Sequence, residues 1–167
     1  SLVEIRNVLY NRMNNPIGEN RTDGGEVGLY AFHRALTDRL EFNKTAGFFR
    51  DDAALAVVFV ADENDICSYG HYPVGIEPVY DPNRKEIPAS ELYCDGITPA
   101  SILADVQAVK GDMPVLISGI IYNGDNAFPA TGENEIGYGY LETIEMSNGL
   151  TIDLASGDYD LGMSEIG

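Results

Sequence analysis

The sequence has 167 residues, of which 44% are apolar, and carries 27 Asp and Glu against 10 Lys and Arg, giving a formal net charge of −17. This length and apolar content exclude a disordered chain and predict a single domain over residues 1–167. The acidic excess argues against nucleic acid or an anionic membrane as partner, and no apolar run reaches the roughly 18 residues of a membrane helix, which argues against membrane insertion.

Two amphipathic helices are predicted in the N-terminal quarter of the chain. Apolar residues recur at helical spacing over residues 2–13 and again over residues 26–40. Asp23 and Glu26 precede or begin the second helix, where the helix dipole favours negative charge. The polar, glycine-rich residues 18–25 between the two helices predict a loop.

Residues 53–61, with the sequence AALAVVFVA, predict the first strand. A run that is apolar throughout is typical of an interior parallel strand covered on both faces. Residues 66–97 lack periodicity, so we expect one long irregular insertion there.

The two cysteines, Cys67 and Cys94, both lie in this insertion. An even number of cysteines in an acidic chain rich in Gly, Tyr and Asn favours a disulfide and an extracytoplasmic location. The bridge would stabilise the fold by roughly 3–4 kcal/mol in the chain-entropy model. Two buried free thiols are the alternative.

The C-terminal half predicts one helix, two strands and a short final helix. Thr98, followed by proline, is a typical helix start, and Gly111 a typical stop. Residues 113–122 form a second apolar strand, residues 150–155 a weaker third strand, and residues 159–166 a short helix. Strands separated by helices predict an α/β fold with parallel pairing and right-handed crossovers.

Three carboxylates, Asp62, Glu63 and Asp65, directly follow the first predicted strand. Parallel α/β sheets bind ligands outside the carboxyl ends of their strands, and carboxylate oxygens suit Mg²⁺ or Ca²⁺. The pattern therefore favours a cation site, although acidic residues after a strand are common and acidity also serves solubility.

The sequence around this strand resembles that of bacterial secreted von Willebrand factor A domains. Gly-Phe-Phe-Arg at 47–50 and Leu-Ala-Val-Val-Phe-Val at 55–60 precede Asp-Glu-Asn-Asp at 62–65, where the family has a similar Ser-Asp-Glu-Asp-Asp run. Gly-Glu-Val-Gly-Leu at 25–29 is similar to the helix after the family's second metal-site loop. The resemblance implies a Rossmann-like, doubly wound, mainly parallel sheet with helices on both faces.

The resemblance also implies a metal-ion-dependent adhesion site, built from three loops around Mg²⁺, Ca²⁺ or Mn²⁺. By position, Asp62 matches the third-loop Asp ligand. Thr22 matches the second-loop hydroxyl, with Asp23 as a competitor. Asp23, Glu63 and Asp65 are expected to shape the rim of the site.

The family's first loop, Asp-x-Ser-x-Ser, does not occur in this sequence, and the family's first strand, first helix and next strands are missing with it. Either the chain is the C-terminal portion of a longer domain, whose N-terminal half comes from the same or another polypeptide, or the domain has lost its metal site. We favour the first explanation. Such a portion would expose one face and one edge of the strand at residues 53–61, which is an aggregation hazard.

The function expected from the resemblance is ligand binding rather than catalysis. The chain would be a bacterial adhesion module, secreted, on the cell surface or periplasmic, that holds a protein or glycan partner through the cation. A metal-assisted hydrolase is the alternative, but it needs a general base that neither His33 nor His71 is well placed to supply. A structural assembly subunit with a non-functional metal site is the third possibility.

Overall fold

The computed structural model describes residues 2–13, 26–68, 86–125 and 135–166. Within these residues the helices are α1 (Leu2–Met13), α2 (Gly28–Leu36), α3 (Leu40–Thr45), α4 (Glu86–Tyr93), α5 (Pro99–Lys110), α6 (Tyr140–Met146) and α7 (Tyr159–Ile166). The strands are β1 (Leu55–Val60), β2 (Val115–Ile121) and β3 (Thr151–Asp153). Short 3₁₀ turns occupy Ile66–Ser68 and Leu154–Ser156.

The three strands form one parallel sheet in the order β1-β2-β3, which confirms the predicted α/β class and parallel pairing. In the register, Val57 lies opposite Ile117, and Ile120 lies opposite both Val60 and Ile152. Parallel neighbours need crossover connections. The segment containing α4 and α5 connects β1 to β2, and the segment containing α6 connects β2 to β3.

One face of the sheet carries the core. Because side chains alternate along a strand, Val57, Phe59, Ile117 and Ile121 share this face. Helices α2, α5 and α6 pack against it with the buried residues Leu29, Leu36, Ile102, Val106, Tyr140 and Ile144. Full burial of a large aliphatic side chain stabilises a fold by about 1.5–3 kcal/mol. These contacts hold α2 and α6 beside the carboxyl end of β1.

Helix α5 begins and ends where the sequence predicts. The Thr98 hydroxyl accepts a hydrogen bond from the Ser101 amide at 3.1 Å, and the Ser101 hydroxyl accepts one from the Thr98 amide at 2.9 Å. This reciprocal cap satisfies two amides at the helix start, and such a cap contributes about 1 kcal/mol. Gly111 ends the helix with φ +55°, a conformation that glycine adopts without strain.

The prediction that β1 is covered on both faces is wrong. Val57 and Phe59 point into the core, whereas Val58 and Val60 on the opposite face are 36% and 57% exposed. Among the described residues β1 pairs with β2 alone, so it lies at one edge of the sheet. An apolar run shows that a strand favours burial, but it does not identify the element that covers it.

Two other predictions need smaller corrections, and one helix was missed. The helix predicted over residues 26–40 ends at Leu36, and α3 follows after a short turn. The predicted irregular insertion, residues 66–97, contains a 3₁₀ turn and α4, while residues 69–85 lie outside the described residues. Helix α6 was not predicted from the sequence.

None of the helices in the described segments is long and apolar enough to cross a membrane.

Candidate functional site

The acidic segment lies at the carboxyl edge of the sheet, as the sequence predicts for residues that follow a parallel strand. Asp62 is exposed just beyond β1, and Glu63 beside it is half-buried. The Asp62 carbonyl accepts a hydrogen bond from the Glu135 amide at 3.1 Å, which ties the turn to the segment before α6. The carboxylate of Asp62 is thus free to face solvent while its backbone is held.

The ends of the neighbouring strands lie close to Asp62. Desolvation raises the pKa of the Tyr122 hydroxyl, and the charges of Asp62, Tyr159 and Asp153 raise it further. Tyr122 directly follows β2 and Asp153 ends β3. The parallel register therefore brings residues far apart in the sequence to one edge, where ligands bind in sheets of this kind.

Glu26 is a further member of the site that the sequence did not identify as a site residue. It forms an isolated parallel bridge with Asp65, and its carbonyl accepts a hydrogen bond from the Ile66 amide at 2.9 Å. Burial raises the pKa of the Glu26 carboxyl to about 8, and the charges of Asp62, Glu63 and Asp65 act in the same direction. The only signal in the sequence was its place at the start of a predicted helix.

Asp65 lies in the interior, so its predicted place at the rim is wrong. The residue is 0% exposed. Its Oδ2 accepts a hydrogen bond from the Leu29 amide and its Oδ1 accepts one from the Cys67 amide, both at 2.8 Å. Burial raises the pKa of Asp65 to about 6, although these hydrogen bonds favour the charged form. Asp65 therefore anchors the first turn of α2, where backbone amides lack helical partners.

Tyr140 completes this anchor from the start of α6. Its hydroxyl accepts a hydrogen bond from the Gly28 amide at 3.1 Å and donates one to Glu26 Oε2 at 3.3 Å. Burial, with the nearby charges of Asp65 and Glu26, raises the pKa of Tyr140, so the hydroxyl stays protonated. A Cβ on Gly28 would lie 2.5 Å from that hydroxyl, so the close approach requires glycine.

Two of the proposed cation-site residues, Thr22 and Asp23, lie outside the described residues. Within the described part of the chain, no three His, Cys, Asp or Glu side chains are grouped to hold a metal ion. The donors at the carboxyl edge are nonetheless of one chemical kind. The carboxylates of Asp62 and Glu63 are hard oxygen donors, which fit Mg²⁺ or Ca²⁺ better than zinc.

The predicted disulfide between Cys67 and Cys94 is confirmed, and the alternative of two free thiols is wrong. The two Cα atoms are 4.9 Å apart. The bond joins the 3₁₀ turn that follows Asp65 to the residue after α4. It therefore braces the same turn that carries the buried carboxylate.

Comparisons of the chain with protein-family models, with curated proteins and with solved structures gave no match.

Proposed function

We propose that this chain is the C-terminal portion of a doubly wound, von Willebrand factor A-like domain that binds a protein or glycan partner through a divalent cation. Mg²⁺, Ca²⁺ or Mn²⁺ would lie beside Asp62. The observation that carries the proposal is the exposed carboxylate of Asp62 directly after β1. Parallel sheets bind their ligands at this edge.

The donor set suits a cation that remains open to a partner. Asp62 would be a direct or water-mediated ligand, and the Thr22 hydroxyl a second one, with Asp23 as the alternative. When bound, the cation supplies an open coordination position that a carboxylate of the partner fills. Glu63 is half-buried next to Asp62 and would shape the rim together with Asp23.

A location outside the cytoplasm is part of the proposal, whether secreted, on a bacterial cell surface or in the periplasm. The Cys67–Cys94 disulfide supports it, because such bonds persist in oxidising compartments and are rare in the cytosol. The net charge of −17 also fits a cation-rich medium, in which carboxylates are screened.

The exposed face and the outer edge of β1 support the assignment of an N-terminal half supplied by the same or another polypeptide. Val58 and Val60 present apolar surface there. Native sheets normally cover or block such an edge, because an open apolar edge promotes aggregation. A covering half would also bring the first loop of the cation site to the same end of the sheet.

Isothermal titration calorimetry of the complete domain with Mg²⁺, Mn²⁺ and Ca²⁺ tests the proposal, with this chain unchanged, with Asp62→Ala and with the control Asp52→Ala. Asp52 is also an exposed carboxylate, but it precedes β1 and lies away from its carboxyl end. We expect binding of at least one cation by the chain and by Asp52→Ala, and its loss in Asp62→Ala. Absence of binding by all three cations, or binding unchanged in Asp62→Ala, contradicts the proposal.

A further inference from the structure

One row of residues across the sheet changes from buried to exposed over three strands. Ile152 of β3 is 6% exposed, Ile120 of β2 is half-buried, and Val60 of β1 is 57% exposed. Helix α7 covers the β3 end of this row, since a Cβ on Gly162 would lie 2.5 Å from Ile152 Cγ1. The described cover on this face therefore stops before β1.

The backbone of β1 is open on the same side of the molecule. Leu55 donates to the Pro114 carbonyl at 3.0 Å and Ala61 donates to the Ile120 carbonyl at 3.2 Å, so the odd-numbered amides point to β2. Backbone groups alternate along a strand, which directs the amides and carbonyls of the even-numbered residues away from β2. These residues are Ala56, Val58 and Val60, and among the described residues their amides have no hydrogen-bond partner.

The open backbone and the exposed valines of β1 together indicate which kind of segment fits this edge. A row of backbone donors and acceptors at strand spacing pairs best with another strand. The exposed valines favour an apolar, β-branched neighbour on the open face. Exposed carboxylates flank β1 at both ends, namely Asp52 before it and Asp62 after it, whereas Asp51 is already paired with Lys44 at 2.9 Å. They favour an occupant with Lys or Arg at its ends.

The same charges disfavour a second copy of this chain. Each copy carries a net charge of −17. Two β1 edges placed side by side would bring their acidic flanks together, and like charges at an interface oppose association. A basic-flanked strand meets no such repulsion.

We propose that the outer edge of β1 takes up an extended polypeptide segment from outside this sequence as a fourth strand. The segment would alternate β-branched residues toward the open face of Val58 and Val60 and carry basic residues at its ends. The inference rests on the part of the proposed function that assigns a partner polypeptide to this chain. It involves no cation, so it is tested in EDTA, where failure of the cation site does not affect the result.

The probe is a synthetic octapeptide of alternating Val and Thr with Lys at each end, added to the isotopically labelled chain and followed by NMR. We expect the amide signals of Ala56, Val58 and Val60 to shift and their hydrogen exchange to slow by about tenfold or more, as new hydrogen bonds form. The amides of Val57 and Phe59, which point to β2, should keep their exchange rates.

Val58→Pro removes one outward amide and leaves the hydrogen bonds to β2 in place. It should weaken peptide binding by about tenfold or more, whereas Val58→Thr, which keeps the amide and the β-branch, should bind within about threefold of the original chain. Val60→Pro makes the same test at the exposed end of β1 if Val58→Pro does not fold.

Three results overturn the proposal. In the first, the outward amides show no shift and no added protection with peptide. In the second, the proline variants bind as well as Val58→Thr. In the third, sedimentation shows a dimer that becomes monomeric in the proline variants, which assigns the edge to a second copy.

Discussion

Asp65 Oδ2 accepts a hydrogen bond from the backbone amide of Leu29 at 2.8 Å, and this contact joins the turn after β1 to the first turn of α2. The two residues are 36 positions apart, and neither is exposed to solvent. The same carboxylate binds the Cys67 amide, so one side chain satisfies two buried donors. The turn that follows the exposed Asp62 is therefore held in place by a buried, structural acid.

Asp65→Ala should lower the free energy of unfolding by about 2–4 kcal/mol, because both buried amides lose their acceptor. Urea denaturation followed by circular dichroism measures the change. Asp52→Ala removes an exposed carboxylate and should stay within about 0.5 kcal/mol of the original chain. Equal stability of the two variants would show that Asp65 does not anchor α2.

Stability should fall as the pH rises from about 5 to about 8, measured in EDTA. The folded pKa of Glu26 is about 8, above its ordinary value of 4.5, so the fold retains a proton that the unfolded chain releases. The stabilisation is complete below the ordinary value and is lost as pH rises through the folded one. Asp65, raised to about 6, acts in the same direction at lower pH.

Glu26→Gln identifies the group responsible for that slope. Between pH 6.5 and about 8 the original chain should lose up to about 1.4 kcal/mol of stability per pH unit, and the stability of the variant should be nearly constant. Glu145→Gln, a change at an exposed glutamate, should keep the slope of the original chain. An unchanged slope in Glu26→Gln would refute the assignment.

Reduction of the Cys67–Cys94 bond should lower the free energy of unfolding by about 3–4 kcal/mol, because the bond closes a loop between residues 27 positions apart. Urea denaturation with and without dithiothreitol measures this loss. The double variant Cys67→Ser with Cys94→Ser should be insensitive to the reductant and should match the reduced chain. Identical midpoints for oxidised and reduced chains would show that the bond does not stabilise the fold.

Gly28→Ala should destabilise the chain by about 1–3 kcal/mol, although alanine normally favours helices. The added Cβ would lie 2.5 Å from the hydroxyl and 2.8 Å from Cε1 of Tyr140. In the Tyr140→Phe background the hydroxyl clash is removed, so the cost of Gly28→Ala should decrease by about 0.5 kcal/mol or more in a double-mutant cycle. Additive effects would place Tyr140 away from the start of α2.

Local signals in the sequence predicted much of the fold. The cap at Thr98, the stop at Gly111 and the apolar run of β2 each depend on near neighbours, and all three were confirmed. The apolar run alone could not predict how β1 is covered, because periodicity records the burial a strand favours and not the elements that supply it. The short helix α6, with only seven residues, gave too weak a pattern to be predicted.

Most of the candidate site could not be predicted from local sequence signals, because its contacts join residues that are far apart in the sequence. The hydrogen bond between the Tyr140 hydroxyl and the Glu26 carboxylate joins residues 114 positions apart. No spacing rule connects them, and only the packing of α2 and α6 on one face brings them together. The position of Asp62 was predictable, since the residue after an apolar parallel strand reaches the carboxyl edge of the sheet. The burial of Asp65, three residues later, depends on the turn that follows.

The central claim, a cation beside Asp62, is tested most directly by paramagnetic relaxation of backbone amides during titration with Mn²⁺. This measurement locates even weakly bound Mn²⁺, because its unpaired electrons broaden nearby signals. We predict that broadening appears first at residues 62–64, is reversed by EDTA, is lost in Asp62→Asn and persists in Asp52→Asn. Broadening spread evenly over exposed carboxylates, or unchanged at residues 62–64 in Asp62→Asn, would contradict the claim.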